Sequence, residues 1–175
     1  PFTENTISND FISGFAPLNF AKQELAFPLL KMDSELFMGK EASLARFRES
    51  VKNIKPKTQH IFHIASHAAV NYKNVNESYI LFKGDEPEKL LAQEVYTLKM
   101  DNSFVILSAC ETGIGQVLHG DGMRSFSQAF RYAGAKALLH SKWKVSDKAT
   151  AFIMNAFYEE LATGSTKEVS LQQAK

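Results

Sequence analysis

The sequence predicts an α/β layered fold with a mainly parallel sheet, on three observations. Strand-like and helix-like segments alternate along the chain. The run "SFVILSA" (103–109) is continuously apolar, as a strand buried on both faces requires. The segments between strands, such as "MRSFSQAFRYA" (123–133), repeat their apolar residues at helical spacing.

The elements follow in order. Residues 1–18 carry no clear period and read as irregular, the first fourteen most of all. "NFAKQELAFPLLKM" (19–32) has helical spacing through Phe20, Leu25, Leu29 and Met32, disturbed by Pro28. "GKEASLARFRESVKNI" (39–54) is a stronger helix, with Leu44, Phe47 and Val51 on one face. After the turn "KPKTQ", "HIFHIAS" (60–66) is a strand ending at His67. "SYILF" (78–82) is a further strand, "KGDEPEK" (83–89) a loop, and residues 90–98 a short helix. The apolar strand 103–109 leads into the loop "ETGIGQVLHGDG". The helix 123–133 turns Phe126, Ala129, Phe130 and Ala133 inward. "AKALLHS" (135–141) is another strand. Ser146 is placed to cap a helix over 147–162 that carries Ala149, Phe152, Ile153, Ala156, Phe157 and Leu161.

Composition bounds the function. The chain has 175 residues, 45% apolar and 22% charged, which suits one globular domain with a real core. Its net charge is +1, with Lys and Arg interspersed among acids, so no nucleic-acid contact is expected. No apolar run reaches membrane-spanning length, so no membrane partner is expected either. A lone cysteine excludes an internal disulfide framework and points to a reducing, cytoplasmic setting. The chain opens on Pro1 and stops inside a helical pattern, "TKEVSLQQAK", which reads as a domain excised from a longer protein.

His60, His63 and His67 are spaced three and four apart, a spacing that would gather imidazoles on a helix. Their segment reads as a strand, where side chains alternate, so His60 and His63 point to opposite faces. No Asp, Glu or Cys joins them at ligand spacing. A structural role for both, with no metal and no cofactor, is the expectation.

His67 and Cys110 differ in position. Each falls where a strand ends and a loop begins, and functional groups collect outside the carboxyl ends of parallel strands. If the two strands are neighbours, both side chains emerge at one sheet edge. A thiolate is a strong nucleophile, and an imidazole can take the thiol proton and return it to a leaving amine. The bland alternative is that Cys110 is a small buried hydrophobe. The Gly-rich loop after it is no phosphate cradle, because Leu118 stands where G-x-G-x-x-G needs its last glycine and no Gly-Lys-Ser/Thr follows.

The segments "HIFHIASHA", "SYILF", "VILSACETGIG", "GDGM" and "AFRYAGAKALLHSKWKVSD" resemble, in order and spacing, the CHAT domain family. The resemblance runs from about Phe15 to Lys175, and "SACETG" is its most specific part. It implies a three-layer caspase-like sandwich and a cysteine protease related to caspases and separase, often fused to tetratricopeptide repeats. Caspases too place a histidine roughly 50 residues before Ala-Cys. By position, His67 matches the family's general base and Cys110 its nucleophile. The backbone amides of Ala68 and Cys110 match the oxyanion donors, although many members carry Gly where this chain has Ala68. Glu111, Thr112 and Gly113 would support the site loop, and Asp121 in "GDG" would brace it. Trp143 and Asp147 match a Trp-x-Val-x-Asp stretch, which would line a substrate groove or serve the core and helix cap. The implied partners are a protein or peptide substrate and a regulatory repeat region in the same chain. The implied alternative is a catalytically latent CHAT module for signalling or scaffolding.

Overall fold

The computed structural model describes residues 2–8, 18, 20–55, 57–71, 73–111, 122–141 and 145–175, with backbone alone at 2–8, 109–111 and 122–125. The described residues form a mixed α/β structure, a seven-stranded sheet flanked by helices.

The N-terminal segment corrects the sequence reading. Phe2–Ser8 is a strand, β1, rather than irregular chain. Its composition, "FTENTIS", shows no apolar alternation. It holds its place by pairing in parallel with β2 (Asp33–Met38) on one side and β3 (Gln59–Ala69) on the other. Strand β2 fell between two helical readings and was not expected at all.

Between β1 and β2 the expected helix is two short ones, α1 (Ala21–Glu24) and α2 (Ala26–Lys31). The break has a covalent cause. The carbonyl of Glu24 would accept from the N–H of residue 28, and that residue is proline. Helix α3 (Leu44–Lys52) starts where the hydroxyl of Ser43 accepts from the amide of Arg46, and it buries Leu44, Phe47 and Val51.

Strand β3 runs through the middle of the sheet. It pairs in parallel with β6 (Ser103–Glu111) along 60–68, and β6 pairs in parallel with β7 (Ala137–His140). Beyond the end of β1, β3 also meets β4 (Tyr79–Phe82), antiparallel, and β4 meets β5 (Glu88–Leu91), antiparallel again. Strand β5 takes up part of the stretch read as loop. With α4 (Ala92–Val95), this excursion fills the chain between β3 and β6.

Alternation along β3 and β6 sorts the core onto two faces. Phe62, Ile64, Ala68, Val105 and Leu107 pack with Leu44, Phe47 and Val51 of α3, Ala92 and Val95 of α4, and Phe126, Ala129 and Phe130 of α5 (Gly122–Tyr132). The opposite parity, Ile61, Phe104 and Ile106, packs with Met154, Phe157, Tyr158 and Leu161 of α6 (Asp147–Ala162). Leu171 of α7 (Lys167–Gln173) lies against that second cluster.

Helix α6 has the expected bounds, and its Ser146 hydroxyl accepts from the Ala149 amide. Of the apolar residues named from the sequence, Phe157 and Leu161 lie on its buried face. Ala151, Met154, Phe157, Tyr158 and Leu161 are buried, whereas Phe152 is 68% exposed. The helix is apolar on more than one side, so period alone did not choose the face. No helix of the described residues is long and apolar enough to cross a membrane.

Candidate active site

Strands β3 and β6 lie side by side, and their register pairs His67 with Cys110. In a parallel ladder, paired positions share a face. Positions 67 and 110 have the parity of Ile61 and Ile106, so both lie on the face that packs against α6. Two residues 43 apart in the chain therefore occupy adjacent positions at the carboxyl ends of neighbouring strands.

Two details differ from the expectation. Strand β3 does not stop at His67 but continues to Ala69, and β6 continues through Glu111, so Glu111 is a strand residue rather than part of a loop. His67 is 4% exposed and Ala68 fully buried. Ala68 pairs with Ile80 of β4 on one edge and with Glu111 of β6 on the other. The N–H of a strand residue points along the sheet toward one edge or the other. Both edges of Ala68 are occupied, so its amide can meet an oxyanion only if the ladder opens at that end.

The other two strand histidines are held by the fold. His60 accepts from the backbone amide of Lys55 at 3.0 Å through Nε2. Its pKa is lowered, first by burial and further by the nearby Lys55 cation. His63 is buried between helices. Its Nε2 lies 2.8 Å from Oε1 of Glu24 on α1, and its Nδ1 lies 2.8 Å from the hydroxyl of Tyr158 on α6. The two rings stack with centroids 5.9 Å apart. The group Glu24, His63 and Tyr158 has no signature in the sequence, because its members lie 39 and 95 residues from His63. Ser66, next to His67, donates its hydroxyl to the carbonyl of Leu81 and ties β3 to β4.

Asp147 is the first residue of α6, and its Oδ2 accepts from the amide of Phe20 at 3.0 Å. That contact fixes the chain entering α1 to the start of α6. Thr112, Gly113, Asp121 and Trp143 lie outside the described residues.

The CHAT domain family model matches residues 11–175. The chain belongs to the CHAT domain family. No curated protein matches this CHAT domain. Among solved structures it is similar to protein GSU0716 from Geobacter sulfurreducens at 13% identity, with a TM-score of 0.46 over 95% of this chain and 67% of that one. The family, a caspase-like one, makes a protease-like function plausible for a domain with this pair of strand ends.

Proposed function

We propose that this CHAT domain is a cysteine endopeptidase working through a His67–Cys110 dyad, in a caspase-like sandwich whose central sheet is mainly parallel. One observation carries the reading: the β3–β6 register that sets position 67 beside position 110 on one face. In the proposed cycle, His67 takes the thiol proton of Cys110, and the thiolate attacks the substrate carbonyl. The tetrahedral oxyanion is met by the amide of Cys110 and, once the strand end opens, by that of Ala68. Collapse breaks the C–N bond, and the imidazolium returns its proton to the leaving amine. Water, deprotonated by His67, then hydrolyses the thioester and frees the acid and the thiol. Glu111, Thr112 and Gly113 would shape the wall beside the thiol, and Trp143 and Asp147 would border the substrate. The chemistry needs no metal or cofactor.

In the full-length protein, Cys110→Ala and His67→Ala are each expected to lower cleavage of a validated protein substrate by at least about 100-fold. Cleavage by either variant at the wild-type rate would rule out the dyad.

A latent CHAT module is the second reading, and the burial of His67 together with the filled edges at Ala68 favours it. Upstream repeats that open this strand end would reconcile the two. Thiol alkylation separates them. A dyad makes Cys110 react fast, with a pH midpoint below that of a free thiol, whereas a latent thiol reacts only on unfolding.

A further inference from the structure

A cavity of about 510 Å³ lies between the carboxyl ends of β6 and β7 and the first turns of α6. Ile106 and Ser108 of β6, Leu139 of β7, and Ile153 and Met154 of α6 wall it. Positions 106, 108 and 110 share one face of β6 by alternation. The cavity is therefore on the same side of the sheet as the His67 and Cys110 positions. The α-carbon of Ser108 is about 7 Å from that of Cys110, two strand rises away.

Two of the polar groups at its border, Asp147 and His140, are already engaged, and Lys175 also lines it. Asp147 gives Oδ2 to the Phe20 amide, and it sits in the first turn of α6, where the helix N-terminus favours its charge. His140 has Nδ1 2.8 Å from the Ser141 carbonyl and Nε2 3.1 Å from the Ser127 hydroxyl. Most of what the cavity offers a ligand is apolar surface.

The geometry points to this cavity as the pocket for the side chain of the residue whose carbonyl Cys110 attacks, and to a large apolar residue (Leu, Met or Phe) as its occupant. The assignment rests on the dyad reading. In the thioester, the substrate's α-carbon is two bonds from the sulfur, so its side chain starts at the end of β6, on the face where Ile106, Ile153 and Met154 wall the cavity. Most of the lining is apolar, so a charged side chain there would give up more hydration than the wall returns.

The test uses the full-length protein and one series of peptidyl acyloxymethyl ketones that differ only in the residue beside the warhead. Labelling of Cys110 is read by peptide mass spectrometry. Leu, Met and Phe probes are expected to label at least tenfold faster than Ala, Lys or Asp probes. Ile153→Trp, which fills the pocket, is expected to lower the ratio of Leu-probe to iodoacetamide rates at least tenfold. Equal rates across the series, or a preference for Lys or Asp, would overturn the assignment. So would an unchanged ratio in an Ile153→Trp protein that keeps its cooperative melting transition. Iodoacetamide labelling that is indifferent to His67→Ala counts against the dyad alone. The pocket is then read without thiol chemistry, in full-length Cys110→Ala protein, through the methyl resonance of Met154. A peptide ending in leucine should shift that signal and one ending in lysine should not. No shift with the leucine peptide overturns the pocket.

Discussion

His63 shows how a chemically suggestive residue can be wholly used by packing. Its ring joins Glu24 on α1 to Tyr158 on α6, with the Glu24 and His63 side chains no more than 1% exposed. Removing the carboxylate strands an imidazole nitrogen that has lost that partner in the interior. Glu24→Ala should therefore cost about 1–3 kcal/mol of stability, read as a lower urea midpoint at unchanged slope. His60 makes a separate, pH-dependent contribution. Its folded pKa lies below the ordinary value of 6.5, chiefly through burial, so the unfolded chain binds the proton more readily. The stability it contributes is fully present above pH 6.5 and is lost as pH falls through the lower folded value. Urea midpoints should drop between pH 7.5 and 5.5, and the drop should be smaller in His60→Gln. Equal drops in the two proteins would remove His60 from that account. At this scale the sequence separated the strand histidines by face but not by partner. No local pattern could supply partners as remote as Glu24 and Tyr158.

Among the elements, legibility followed amphipathicity. Helices α3 and α5 bury the residues their periodicity names, and α6 begins at the serine expected to cap it. Strands β1 and β2 escaped because "FTENTIS" and "DSELFM" lack a clear two-residue pattern. Their conformation comes from neighbours in the sheet, which override weak local preference. The end of α5 is set more sharply. Gly134 has φ +103°, and a methyl group there would fall 2.6 Å from Oδ1 of Asp101 and 3.1 Å from its backbone nitrogen. The same corner is closed by the Met100 amide donating to the Ala133 carbonyl at 2.7 Å. Gly134→Ala is expected to cost about 1–3 kcal/mol, since an L residue is strained at that φ and Asp101 must also move. A thermal midpoint equal to the wild type's would show that the corner relaxes freely. The candidate site was legible for a related reason. His67 and Cys110 both close hydrophobic strand runs, and parallel strands put their ends together. The extension of β3 to Ala69 was not legible, because "HAA" carries no strand preference of its own and is held by β4 and β6.

Across the whole molecule, β3 is the shared member. It pairs with β1, β4 and β6 and contributes to both core clusters. Amides of Ile61 to Ile64 should exchange hydrogen only on global unfolding, with those of edge strand β2 exchanging earlier by local opening. Exchange of β3 before β2, followed by mass spectrometry, would contradict that hierarchy. The β3–β6 ladder also limits how this chain can vary in length. Loss or gain of one residue between His60 and His67, or between Ser103 and Cys110, would reverse the parity of everything after it and move one member of the pair to the far side of the sheet. Extra residues in the turn around Gly84 to Glu86, between β4 and β5, would leave that pairing untouched. Variation in length is thus tolerated in the excursion between the two strands and excluded within them.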